Sequence, residues 1–161
     1  MFGLFKKKKV TYEMKAVVDG TVVSMTEATD PVFSSCALGN GVVIRPTSDV
    51  IVAPADGTVT VTMDGSNHAI GLELTGGLEV LIHIGVDTVN LKGEGFEALA
   101  KTGDTVKAGD ELIRFEREAL EAKGYCMEIM QIVMEGEHSG DVQYTTGVTA
   151  KAGETIVGIW Q

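Results

Sequence analysis

Several shortages in this sequence narrow what it can be. Basic residues are outnumbered: 13 Lys and Arg stand against 23 Asp and Glu, a formal net charge of −10 over 161 residues. Nucleic acid is thereby excluded as the partner class, because neutralising phosphates needs a basic face. An acidic surface suits a protein that meets basic partners. Cysteine is scarce too, with only Cys36 and Cys126, in no CxxC or other metal-ligand spacing. That argues against a disulfide framework and fits a reducing cytoplasm. No apolar run approaches the roughly 20 residues that span a bilayer. The N-terminus, Met1-Phe2-Gly3-Leu4-Phe5 followed by Lys6–Lys9, is not a secretory signal, since its charges follow its short apolar part. We expect a flexible basic tail over residues 1–9, with at most weak membrane-surface contact at about 1 kcal/mol per Lys. One domain is expected over residues 10–161. Aromatics make up 6% of the chain, and only Glu116–Lys123, closed by Gly124, reads convincingly as a helix.

What is present is Gly, at 20 residues, with Val, Ile and Thr in short runs between turn residues. That pattern predicts an all-β domain of many short strands. Two echoes suggest that one β unit is used twice. Ala16-Val-Val-Asp-Gly-Thr-Val22 recurs as Ala53-Pro-Ala-Asp-Gly-Thr-Val59, and Lys107-Ala-Gly-Asp-Glu-Leu-Ile113 as Lys151-Ala-Gly-Glu-Thr-Ile-Val157. In each, a tight turn feeds an apolar strand, although Asp-Gly and Ala-Gly turns are common enough to recur by coincidence. Asp30-Pro31-Val32-Phe33 predicts a helical turn with Asp30 as N-cap. Phe96–Lys101 is read as one helical turn, and Cys126–Met134 and Thr155–Trp160 as strands. His138 lies in a polar loop, where a solvated histidine is the simplest account.

Val80–Val86 is a β-branched run with one misfit, His83, between Ile82 and Ile84. Alternation places Leu81, His83, Gly85 and Asp87 on the face opposite Val80, Ile82, Ile84 and Val86. A lone histidine there would be an ordinary half-buried strand residue. Ser66–Leu74 reads as a preceding strand, joined through Thr75-Gly76-Gly77-Leu78. A two-residue Gly-Gly hairpin pairs Ile70 with His83 and makes His68 a diagonal neighbour of His83 on one face. Ser66, two residues before His68, is either an ordinary strand serine or the hydroxyl that fixes the tautomer of His68.

The stretch His83-Ile-Gly-Val-Asp-Thr-Val-Asn-Leu-Lys-Gly-Glu-Gly-Phe96 resembles the active-site signature of the glucose-type IIA proteins of the bacterial phosphoenolpyruvate-dependent sugar phosphotransferase system. Asp30-Pro-Val-Phe33, Gly39-Asn-Gly41, Arg45-Pro-Thr47, Val52-Ala-Pro-Ala-Asp-Gly-Thr58, Asn67-His-Ala69 and Gly109-Asp110 follow the same family in its order. The resemblance runs from about Val10 to Ile159 and implies an antiparallel β-sandwich of duplicated character. It implies that His83 accepts phosphate from the phosphocarrier HPr and passes it to a cysteine on the IIB domain of a glucose-type sugar permease. His68 matches the second active-site histidine, and Ser66 stands where the family usually has Thr.

Gly85 is the carbonyl that the family suggests for holding Nδ1–H of His83. Phe33, Val86 and Leu81 are candidates for an apolar rim that excludes water. Asp30 and Asp87 are expected to flank the site and meet basic side chains of HPr; alternatively, Asp87 is structural. No cofactor is required. Zinc held by His68 and His83 with a partner's carboxylate is a further implication of the family. So are regulated metabolic enzymes or transporters as partners. With a start Met and no fused membrane domain, the chain resembles the stand-alone form, and a cytoplasmic location is expected.

Three other classes compete with this reading. A zinc hydrolase needs a third protein ligand, and no HxH or HExxH pattern supplies one. A biotinyl- or lipoyl-type carrier lacks a lysine presented at a hairpin tip. A purely regulatory binding module is compatible with the family and can coexist with transfer.

Overall fold

The computed structural model describes residues 9–161, so the expected basic tail, apart from Lys9, lies outside the described residues. Fourteen strands form there: β1 (Tyr12–Lys15), β2 (Gly20–Ser24), β3 (Asn40–Pro46), β4 (Val50–Val52), β5 (Gly57–Thr62), β6 (Ala69–Leu74), β7 (Glu79–Ile84), β8 (Phe96–Ala98), β9 (Thr105–Val106), β10 (Glu111–Phe115), β11 (Ile129–Val133), β12 (Gln143–Tyr144), β13 (Val148–Ala150) and β14 (Ile156–Trp160). Two short helices, α1 (Pro31–Ser34) and α2 (Arg117–Ala122), accompany them.

Eight strands make one sheet in the order β13-β2-β3-β11-β7-β6-β5-β9, and two three-stranded sheets, β1-β14-β12 and β4-β10-β8, complete the sandwich. Every pairing is antiparallel. The large sheet reads alike from both ends, β13, β2, β3 and β11 answering β9, β5, β6 and β7, while the small sheets answer each other.

The hydrogen bonds repeat in the same way. Asp19 Oδ1 accepts from the Ala152 N–H at 2.7 Å, and Asp56 Oδ1 from the Ala108 N–H at 2.9 Å. Lys15 N–H donates to Pro54 O and Val52 N–H to Val17 O, both at 2.8 Å. The echoes are therefore a true internal duplication, and its two units interlock where those last bonds cross. Gln131, wholly buried, sits opposite Ile82 at the centre of the sheet. Its amide donates to Lys15 O at 3.0 Å and accepts from Val17 N–H at 3.3 Å. A buried amide in an apolar strand is thus satisfied by backbone at the crossing point.

Pleating divides the side chains between two clusters. Val80, Ile82 and Ile84 join Ile44, Ile70, Leu72, Met14, Leu112 and Trp160 in the main core beneath the small sheets. The opposite face is covered by the segment from Met25 through α1, which buries Met25, Ala28 and Phe33 against Val23, Val43, Met130 and Ile132. Asp30 starts α1 as expected, its Oδ1 accepting from the Val32 N–H at 2.8 Å with Pro31 at the first turn.

Three sequence expectations are corrected. Phe96–Ala98 is a strand paired with β10, not a helical turn, because its backbone completes the edge of a small sheet. The bond from Leu74 N–H to Leu78 O at 2.8 Å encloses three residues, Thr75, Gly76 and Gly77, and the register pairs Ala69, not Ile70, with His83. The apolar pattern dictates this: opposing Ile70 to Ile82 and Leu72 to Val80 keeps both apolar sets on the core face, whereas the expected register would divide them. Alternation also ends at Ile84, since Gly85 and Asp87 have φ of 75° and 58°. Val86 accordingly packs with the smaller cluster, on the side of Leu81, and Asp87 is not on the strand.

Candidate functional site

β7 aims His83 out of the sheet between Ala69 and Met130, its cross-strand neighbours. The ring is half-buried beneath Phe33, with centroids 4.9 Å apart and planes tilted by 53°. His83 Nδ1 lies 2.9 Å from the carbonyl oxygen of Gly85. A carbonyl only accepts, so Nδ1 carries the proton and Nε2 keeps a free lone pair. Burial is the main reason that the pKa of His83 falls from the ordinary 6.5 to about 4. His68 adds to that fall, while the Gly85 carbonyl, Asp30 and Asp87 oppose it. At neutral pH the ring is uncharged, with a lone pair free on Nε2.

Strict pleating in the observed register would send His68 to the other face. It does not, because β6 begins only at Ala69 and Asn67 turns the chain at φ 52°. His68 therefore meets His83 edge to face, with centroids 5.0 Å apart at 80°. Ser66, in the turn and not on the strand, places Oγ 2.7 Å from Nδ1 of His68. Of the two contacts open to that hydroxyl, Met63 O lies at 3.4 Å and the His68 ring is the nearer; donation to the ring leaves the proton of His68 on Nε2, free to donate outward. Burial lowers the pKa of His68 as well.

A side chain at Gly85 is strained and crowded: a Cβ there would lie 2.6 Å from Thr88 Cγ2 and 3.1 Å from Cys126 O. Its loop is pinned by Gly85 N–H to Glu128 O and Val86 N–H to Cys126 O, each 2.9 Å. Thr88, wholly buried, donates its hydroxyl to Ile84 O. Thr88 lies within the His83–Phe96 signature stretch without a role assigned from it, and Glu128 lies in no motif. Glu128 could have been noticed, since a carboxylate inside Cys126–Met134 is the same anomaly that singles out His83. Leu81 and Val86 border the smaller cluster with Phe33, and Val32 and Val89 stand exposed. Asp30 and Asp87 both act on the charge of His83, and Asp87 makes no side-chain capping bond.

A metal centre is not supported. Among the described residues no group of three or more His, Cys, Asp and Glu is placed to hold an ion. The histidine pair supplies two ligands, one fewer than a catalytic zinc site. His138 is elsewhere, 3.6 Å from Asp141 and beside the β6–β7 loop at Gly77.

The family model described as "phosphoenolpyruvate-dependent sugar phosphotransferase system, EIIA 1" matches residues 12–139. The glucose-specific EIIA component of Bacillus anthracis is 39% identical over 157 residues, which cover 98% of this chain and 94% of that protein. The glucose-specific EIIBCA component of Corynebacterium glutamicum is 38% identical over 90% of this chain and 21% of its own length. The solved glucose permease IIA of Mycoplasma capricolum superposes with a TM-score of 0.85 at 29% identity, covering 98% of this chain and all of the other.

Proposed function

The chain belongs to the EIIA 1 family of the phosphoenolpyruvate-dependent sugar phosphotransferase system, and on that premise we propose that it carries phosphate as a phosphohistidine at His83. It is a phosphoryl carrier component of such a system, and relatives in which EIIA is fused to IIB and IIC supply the IIB domain as partner. The donor is phospho-HPr, and the acceptor is a cysteine of a sugar-specific IIB domain. The carrying observation is the bond of 2.9 Å between His83 Nδ1 and Gly85 O, which leaves Nε2 as the lone pair.

Nε2 attacks phosphorus in line, and the bond to the donor nitrogen breaks with its electron pair returning to the HPr ring. No proton has to leave His83, because Nε2 carries none. In the second step the cysteine thiolate attacks, and the Nε2–P pair returns to His83. Such transfers need positioning and charge stabilisation more than covalent assistance. His68 Nε2–H donates to the phosphoryl oxygens, with Ser66 holding its other nitrogen. Phe33, Leu81 and Val86 keep water from the phosphohistidine. Asp30 and Asp87 meet basic side chains of HPr.

No cofactor enters this chemistry. No helix of the described residues is long and apolar enough to cross a membrane, and we place the carrier in the cytoplasm. The test is intact mass after incubation with phosphoenolpyruvate, the first enzyme of the system and HPr. One acid-labile, alkali-stable phosphate is expected, lost in His83→Ala; normal uptake by that variant defeats the reading.

A further inference from the structure

Resting on His83 as the acceptor, we propose that Glu128 is a positioning residue that ties together the two segments forming the walls around the His83 ring. Its backbone carbonyl accepts from Gly85 N–H at 2.9 Å, and the carbonyl of Gly85 in turn holds His83 Nδ1–H at 2.9 Å. Its side chain reaches the opposite way, Oε1 accepting from the Thr29 N–H at 2.9 Å. Thr29 directly precedes Asp30, the cap of the helix that lays Phe33 over the imidazole. One residue thus holds the tautomer-setting loop by its main chain and the water-excluding helix by its side chain.

The carboxylate is placed for this use. Glu128 is 8% exposed, one of the three buried polar or charged residues among those described. Arg45 Nε approaches Oε2 at 3.5 Å from a half-exposed position. A buried carboxylate needs such partners, and leaving either the acid or the Thr29 N–H unbonded is costly. Residues 25–34 are otherwise a short capped turn and one helical turn, joined to the sheet by the burial of Met25, Ala28 and Phe33. The bond to Thr29 spans 99 positions in the chain, and it fixes how far α1 stands from β7.

Glu128→Leu and Glu128→Gln in the full chain test this. Leucine fills the space without an acceptor; glutamine keeps one for Thr29 and gives up the charge paired with Arg45. Ring-current shifts report Phe33 over His83, imidazole nitrogen shifts report the proton on Nδ1, and intact mass gives uptake from phospho-HPr. Glu128→Leu should lose the ring-current shift and take up phosphate about ten- to a hundredfold more slowly, the loss that misplacing the reacting groups by about 1 Å brings. Glu128→Gln should restore most of the rate. A folded Glu128→Leu with wild-type shifts and uptake overturns the proposal, even if its melting temperature falls. Should that variant not fold, exchange of the wild-type Thr29 amide decides: protection supports the tie, and exchange at the rate of an open amide overturns it. A wild-type chain that takes up no phosphate defeats the reading of His83 alone, because the shifts and the exchange are measured without phosphate.

Discussion

Removing the ring of Phe33 should move the acid limit of phosphate uptake upward in pH. Burial is the largest cause that brings His83 down to about 4. Phe33 provides much of that cover, with its ring 4.9 Å from the imidazole and itself 6% exposed. An ordinary histidine titrates near 6.5, so at pH 5.5 a ring with a pKa of about 4 is about 97% neutral and an ordinary one about 9%. Full exposure of His83 would therefore cost about tenfold in available nucleophile at pH 5.5 and almost nothing at pH 8. Phe33→Ala gives part of that loss. Because emptying a buried Phe site costs about 3–5 kcal/mol of stability, Phe33→Leu serves as the milder companion.

The assay is the rate of mass gain from phospho-HPr, taken as variant over wild type at each pH so that titration of the donor cancels. Proton NMR of the His83 ring follows its pKa directly. The ratio should be constant above about pH 7 and fall steadily below it. A wild-type His83 that titrates near 6.5, or a ratio that is flat to pH 5, would refute the reasoning. Stability follows the same sign. Between about 6.5 and about 4 the unfolded chain takes a proton that the folded chain refuses. The contribution of His83 is thus complete above about 6.5 and lost as pH falls through about 4.

Other outcomes follow from the same geometry. His68→Gln should still carry one phosphate on His83, with single-turnover transfer to the IIB cysteine slowed about ten- to a hundredfold; transfer at the wild-type rate would remove His68 from the mechanism. Ser66→Ala should show a weaker form of that defect, because it frees the tautomer of His68 but keeps the ring. Asp30→Asn with Asp87→Asn should slow association with HPr and flatten its salt dependence in low-salt stopped flow, while the fold is kept because Asn caps α1 about as well as Asp. Gly85→Ala should lose about 1–2 kcal/mol from its left-handed backbone alone, more from the clash with Thr88, and its His83 should no longer hold the proton on Nδ1. An unshifted imidazole nitrogen spectrum would contradict this.

Sequence periodicity carried much of the architecture. Alternating β-branched runs, the Asp-Gly echoes and the misplaced His83 are local signals, and the duplication they suggested appears as two interlocked units joined by Lys15 and Val52. The hairpin register shows where a local rule failed. Gly76-Gly77 invited a two-residue turn, but Trp160 Nε1–H bonds Gly76 O at 3.1 Å, and a Cβ on Gly76 would meet the ring of Tyr12 at 2.6 Å. The turn is shaped by strands far along the chain, and the burial of Ile70 and Leu72 opposite Ile82 and Val80 outweighs its intrinsic preference. The apolar pattern already contained the right register, once both core faces were required to agree.

The sequence by itself determined the residue types of the site and their rough neighbourhood: two histidines near one hairpin, a hydroxyl two residues from one of them, and a capped turn bearing Phe33. Each follows from a short-range rule of period, cap or turn. Only the tertiary structure decided which nitrogen of His83 is free, because the Gly85 carbonyl points back at Nδ1 through a φ of 75° that main-chain bonds to Cys126 and Glu128 hold in place. It also brought His68 across to His83 through the left-handed turn at Asn67, against the alternation of a regular strand. The tie from Glu128 to Thr29 crosses 99 residues. Local propensity extends over a few residues, and contacts of that span exist only once the sheet has assembled.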